Sequence, residues 1–427
     1  MKNNKINNVK SIFFENRSIK QTIFKNTFWL GAAEVIQRSV AFLATIWLAR
    51  HFGPAGYGRW AFALSFVALF AVLADFGFGT LTVREIARDK SKTAQYIDNI
   101  IVIKLILGLI TLGIIALAIQ FLDKEPEVVK LVYFLGIYIV LNTFTTFFQS
   151  IFRANEKMQY EAVCRVIESL SLLCLVSFFI LSKGSILTLS YAYLGTAIIS
   201  IVISLGVVWR YFSRFFLEID WQVCKAILKD AWPFGLTMIF GVIYHQIDTV
   251  MLSIMKGDVA VGWYNAAQRL PLMLLIFPTI LNGVVFPKMS YFYKFSKIQL
   301  RDICLKYFKY MSITGIFVGL VTLFFAGKII NFVFGSEYLQ SALALQIIIW
   351  SSVLILINSA FFRLLEASDK QITVTKITGC GGVLNIILNY LLIPKYSYIG
   401  ASIATVASEL LITIIVAFIA SKNFYKI

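Results

Sequence analysis

Arg38 stands four residues after Glu34 inside an apolar run of about twenty residues, enough to cross a hydrocarbon core. A charged side chain at that depth costs roughly 2.5–3.5 kcal/mol on insertion scales, so it faces a cavity, a partner or a water path. The pattern recurs. Lys104, His245, Asp248, Arg269 and Glu409 also interrupt apolar stretches, and Asp75 sits near the end of another. Two kinds of chemistry fit these residue types. Cations at mid-membrane depth can hold an anionic group through charge-assisted hydrogen bonds. A carboxylate in a low-dielectric site can exchange protons near neutrality. Metal-ligand spacing is absent, and Cys164, Cys174, Cys224, Cys304 and Cys380 read as reduced structural residues.

Each position has two readings. At 1.5 Å per residue Arg38 lies roughly 17 Å into the first span. It either neutralises Glu34 one helical turn away or exchanges that partner for a cargo. Arg269 precedes Pro271, near an expected kink, as an anion contact or an anchor between helices. Lys104 is a cargo contact or snorkels to the inner interface. Asp248 couples transport to H+ or Na+, or pairs with Arg269 or Arg38. His245 shares its face, as a helper or a helix-packing residue. Glu409 lies near the middle of the last span. Asp75 reads with Arg84 and Glu85 as a gate or helix-end network.

The elements that must position these groups are membrane helices. The chain is 59% apolar and 14% charged, with a mean hydropathy of +0.80. Its apolar runs are continuous, which excludes a transmembrane β-barrel. Twelve spans are expected, at about 27–49, 57–82, 97–120, 129–151, 163–181, 186–208, 232–254, 259–286, 305–326, 340–362, 372–393 and 398–420. The start, MKNNKINNVK, is polar and basic and does not read as a cleavable signal peptide. Most of the 39 Lys and Arg fall in the tail, the C-terminus and every second connection. That bias places both termini in the cytoplasm of a multi-pass cell-membrane protein. The net charge of +17 is therefore a topology signal, with some capacity for anionic lipid head groups, and not a nucleic-acid footprint. No GxxxxGK[ST] loop appears, so ATP is not the expected drive.

The chain also repeats. A shift of 204 residues sets Gly53 on Gly257 and Gly58 on Gly262, and a shift of 213 sets RANEK (153–157) on EASDK (366–370). Six spans per half implies parallel repeats, with a site at their interface. The expected organisation is a cytoplasmic basic tail at 1–26, with an interfacial helix around Ile12 to Phe24, then an N-lobe at 27–209. A cytoplasmic linker at 210–231, a C-lobe at 232–420 and a tail at 421–427 follow.

The stretches RSVAFLATIWLARHFGPAGYGRWAFALSF, LADFGFGTLTVREIARDK and NIILNYLLIPKYSYIGASIATVASE resemble the bacterial polysaccharide (O-antigen-type) flippases. These belong to the multidrug/oligosaccharidyl-lipid/polysaccharide exporter superfamily. The resemblance covers about 27–420. It implies an all-α polytopic fold of two six-helix lobes forming a V, without cofactors. The cargo it implies is an oligosaccharide on a polyprenyl diphosphate, moved from inner to outer leaflet by alternating access. Arg38, Arg269 and Lys104 are the candidates for cargo. Asp248, His245, Glu34, Asp75 and Glu409 are the candidates for coupling or gating. Membrane lipids and a polysaccharide polymerase are the expected partners. Two rivals are weighed: an ion-coupled small-molecule exporter of the same fold, and a membrane glycosyltransferase or polymerase. The short outer connections disfavour the latter, because converging catalytic groups need a platform.

Overall fold

The computed structural model describes residues 19–425, apart from 214–217 and 369. Most of the expected 1–26 tail lies outside that range. The described residues form helices and turns, with no strand. The helices are α1 Ile19–Asp75, α2 Phe78–Arg88, α3 Thr93–Gln120, α4 Pro126–Ala154, α5 Met158–Leu181 and α6 Ile186–Tyr211. They continue as α7 Trp221–Lys256, α8 Asp258–Leu274, α9 Ile276–Phe295, α10 Lys297–Phe334, α11 Ser341–Ala367 and α12 Gln371–Tyr425. Nine helical stretches among the described residues are long and apolar enough to cross a membrane. α1 and α12 each carry two arms, joined across Gly53 and Ser397.

Three boundaries differ from expectation, each for a backbone reason. The second arm of α1 ends at Asp75, not near 82, because Phe76 and Gly77 both take positive φ. A short amphipathic helix, α2, then starts at Phe78 and buries Phe78, Leu81 and Ile86. The span expected at 259–286 is broken at Leu275 into α8 and α9. Pro278 has no N–H for the Leu274 carbonyl, so the ladder opens there. The connection expected at 287–304 is helical apart from Ser296, whose Oγ accepts from the Gln299 N–H and caps α10.

Lipid inverts the usual polarity of packing. Large apolar side chains such as Leu109, Phe317, Phe324 and Phe332 lie on the outside. Asp248, Asn385, Asn389 and Glu409 are buried. Small residues let helices approach, as in membranes generally. Gly315 and Gly319 of α10 lie against Leu356 and Val353 of α11. Buried hydroxyls such as Ser150, Thr111 and Ser359 bond back to carbonyls of their own helices.

By internal contacts the chain divides into an N-terminal unit, Met1–Ala44 with Phe70–Met238, and a C-terminal unit, Thr45–Leu69 with Ile239–Ile427. The N-terminal core gathers Phe78, Leu81, Ile100, Phe147, Ile151 and Phe152. The C-terminal unit has cores around Met311, Leu356 and Leu364, and around Ile377, Ile412 and Val416.

The repeat is visible in the backbone. Gly53 (φ 64, ψ −177) and Gly257 (φ 81, ψ −176) share a conformation open essentially to glycine alone. Lys157 N–H bonds to the Phe152 carbonyl, and Lys370 N–H to the Leu365 carbonyl, both at 2.9 Å, so RANEK and EASDK close the same helix-ending turn. Asp369 of the second turn lies outside the described residues. Within the C-terminal unit the two glycine turns meet reciprocally. A Cβ on Gly58 would stand 1.8 Å from the Asp258 carbonyl oxygen, and one on Gly262 would stand 2.0 Å from that of Pro54. Arg59 pairs with Asp258 at 3.4 Å beside this contact, and Tyr338 donates to the Ala49 carbonyl at 2.9 Å.

Candidate functional site

Two polar clusters stand out, one in each unit. In the N-terminal unit, Glu34 on α1 accepts from Arg38 Nε at 2.7 Å and from Arg165 Nη1 of α5 at 3.2 Å. Arg165 continues to Glu161 at 2.8 Å, and Glu161 lies 3.3 Å from Arg153 at the end of α4. The result is a chain of alternating charge across three helices, with three guanidiniums against two carboxylates. Glu161 is wholly buried, while Arg38 and Arg153 keep about a third of their side chains accessible, 34% and 36%. Glu161 thus pairs with Arg153 and Arg165, Glu34 pairs with Arg165 and Arg38, and the outer two arginines present the accessible face. Arg153 and Arg165 are residues the sequence reading did not single out. A signal existed: Glu161 and Arg165 have the same i, i+4 spacing as Glu34 and Arg38.

Lys104 is the expectation that changes most. Its ammonium does not reach an interface. The side chain is fully buried, with Nζ 3.1 Å from both Asp75 Oδ1 and the Ala74 carbonyl, over the rings of Phe78 and Phe144. The break after Asp75 places the carboxylate beside α3, so the pair locks a helix end. Asp75 therefore pairs with Lys104, while Arg84 and Arg88 hold Glu85.

In the C-terminal unit, Asp248 of α7 is 1% exposed and accepts from the neutral side chains of Tyr264, Asn389 and Thr405. Tyr264 Oη donates to Oδ2 at 2.7 Å, and Asn389 Nδ2 donates to Oδ1. Thr405 Oγ1 lies 2.8 Å from Oδ2 and 2.9 Å from the Ala401 carbonyl, so its single proton serves one acceptor at a time. The hydrogen-bond partners of Asp248 are thus hydroxyl and amide groups. Arg269 lies half-buried on α8. One turn before Asp248, Tyr244 donates to Glu409 Oε1, and Asn358 Nδ2 lies 3.4 Å from Oε2. Glu409 is 4% exposed. Asp248, Glu409 and the accessible ring of His245 line one small cavity of about 30 Å³, which brings three of the expected residues together.

The donor set around Asp248 is all oxygen and amide, and no group of three or more His, Cys, Asp or Glu placed to hold a metal ion occurs among the described residues. The buried Asn389 Oδ1 has no donor, so an acceptor remains free beside the carboxylate. Oxygen-only surroundings suit a hard monovalent cation or a proton and not a soft transition metal. A carboxylate removed from water without a cationic partner is costly.

The sequence model of the polysaccharide biosynthesis protein family matches residues 23–292, and that of the MatE family matches residues 233–391. A putative O-antigen transporter of Shigella dysenteriae is 23% identical over 361 residues, covering 82% of this chain and 87% of its own. The capsular polysaccharide biosynthesis protein CapF of Staphylococcus aureus is 24% identical over 416 residues, covering 94% and 99%. Among solved structures, an inward-facing multidrug resistance MATE transporter of the MOP superfamily has a TM-score of 0.75 at 17% identity, covering 91% of this chain and 95% of its own. The lipid II flippase MurJ, in an inward closed conformation, has a TM-score of 0.75 at 18% identity, covering 92% and 88%. At those identities the structural likeness establishes the fold alone.

Proposed function

Because this chain belongs to the polysaccharide biosynthesis protein family, within the MOP superfamily of membrane transporters, we propose that it is a flippase for a polyprenyl-diphosphate-linked oligosaccharide. The cargo moves from the inner to the outer leaflet by alternating access, in a cell membrane with both chain termini on the cytoplasmic side. The observation that carries this reading is the three-arginine, two-glutamate chain at Glu34, Arg38, Arg153, Glu161 and Arg165. A diphosphate brings negative charge that lipid cannot hold. Guanidiniums already oriented by carboxylates can exchange them for phosphate oxygens with little reorganisation. Arg269 is the matching candidate in the second half. The buried Asp248, with Tyr264, Asn389 and Thr405, is the coupling site for a proton or a sodium ion. A polysaccharide polymerase would consume the delivered product.

The match of residues 233–391 to the MatE family favours a second reading, an ion-coupled exporter of small molecules. One assay separates them. The purified protein is placed in liposomes with a fluorescent polyprenyl-diphosphate oligosaccharide, and exposure of the glycan in the opposite leaflet is followed. Exposure above protein-free liposomes that falls with Arg38→Ala and Arg165→Ala supports the flippase. A folded protein that exposes none of several such glycans, yet extrudes a small organic cation, overturns it.

A further inference from the structure

The C-terminal unit contains a second, larger cavity of about 280 Å³. Nine of its fourteen lining residues are polar, among them Tyr244, His245, Asn282, Asn358, Arg363 and Glu409. A cavity of this size has room for several waters wherever two or more of these polar groups converge. Two further features point the same way. Arg363 Nε is buried and has no protein acceptor, a donor that water would serve. The break between α8 and α9 also falls here, since Leu275 and Pro278 both line the cavity. Irregular backbone at membrane depth is tolerated where it borders water or is enclosed by protein. One end of the cavity is at Arg363, near the C-terminal end of α11, which the charge bias of the connections assigns to the cytoplasm. The other end is at Glu409, which also borders the small cavity of Asp248, as do Tyr244, His245 and Ile355.

We infer that this cavity is a water-filled branch within the C-terminal unit, through which Glu409 exchanges protons between the cytoplasm and the Asp248 site. The inference rests on the coupling role proposed for Asp248 and adds its route and its intermediate group. The link is made of hydroxyl and carboxyl groups. A proton passes from hydronium in the large cavity to a Glu409 carboxylate oxygen, releasing water. It then passes through water in the small cavity to Asp248, which regenerates the Glu409 carboxylate. A sodium ion has no such relay across the Tyr244–Glu409 hydrogen bond. The titratable and charged groups facing Glu409 are Tyr244, His245 and Asp248 from α7 and Arg363 from α11, which Glu366 holds at 2.5 Å.

The test uses the full chain without its native cysteines, in sealed membrane vesicles of both orientations. Ser359→Cys and Thr378→Cys, both on the cavity wall, are exposed to a membrane-impermeant methanethiosulfonate. The expected result is labelling at least tenfold faster in inside-out than in right-side-out vesicles. In parallel, Glu409 is treated with dicyclohexylcarbodiimide, which modifies protonated buried carboxyls, and read by mass spectrometry. Its labelling should follow pH on the cytoplasmic side alone, and Thr378→Phe should slow that response. Thiols unreactive from both sides in a folded protein, or Glu409 labelling that follows the opposite compartment, would overturn the inference. Asp248→Asn keeps the two claims apart. If it leaves gradient-driven flipping intact, the coupling reading fails. If it abolishes flipping while Glu409 ignores cytoplasmic pH, only the route fails.

Discussion

Gly58→Ala is the most direct perturbation of the reciprocal glycine contact. The added Cβ would lie 1.8 Å from the Asp258 carbonyl oxygen, where real Cβ contacts stay beyond 3.0 Å. The obstacle is backbone, so no side chain can rotate away, and the turns must part by more than 1 Å. A gap of that size forfeits a quarter to a half of each contact's dispersion well. Overpacking of this kind costs about 1–3 kcal/mol. Such a cost raises the separated population about 5- to 150-fold. The assay is thiol labelling of Val261→Cys, a position wholly buried at the contact, with the rate read as the open population. Gly58→Ala and Gly262→Ala should each accelerate labelling into that range. The double variant should add little, because one separation relieves both clashes. Gly327→Ala, which meets nothing within 4 Å, is the neutral control. Unchanged labelling in both variants, with the control also unchanged, would refute the reasoning that these turns are held by backbone contact.

Lys104→Met leaves Asp75 without its cation and should lower stability by about 3–5 kcal/mol, seen as a drop in melting temperature in detergent. The double variant Lys104→Met with Asp75→Leu should recover most of that loss. Arg165→Gln should reduce flipping at least as much as Arg38→Gln, since Arg165 contacts both Glu34 and Glu161; a rate equal to wild type in liposomes would remove it from the cargo path. Tyr264→Phe removes one donor from Asp248 and should cost about 1.5–3 kcal/mol of hydrogen bonding to a charged group, read as a tenfold or larger shift in the ion concentration for half-maximal flipping. Gly53→Ala forces a side chain into a backbone region reserved for glycine and should lower expression of folded protein, checked by size-exclusion chromatography.

The spans were legible because lipid demands long apolar runs with satisfied backbones, and only helices supply both over twenty residues. The twin glycine turns were legible for a similar local reason: Gly53 and Gly257 need a conformation that side chains exclude. The exceptions were also local in cause but too subtle for hydropathy. A proline at 278 breaks a span whose average apolarity is unaffected, and positive φ at Phe76 and Gly77 ends another early.

What the sequence by itself determined is therefore the class of the protein, its repeat, and which positions carry charge against the cost of lipid. Partnership was decided only in three dimensions. Lys104 finds Asp75 from 29 residues away, Arg165 finds Glu34 from 131 away, and Asp248 gathers Asn389 and Thr405 from 141 and 157 away. A buried charge must be compensated, but its energy depends on distance in space, and helix packing sets that distance independently of separation along the chain.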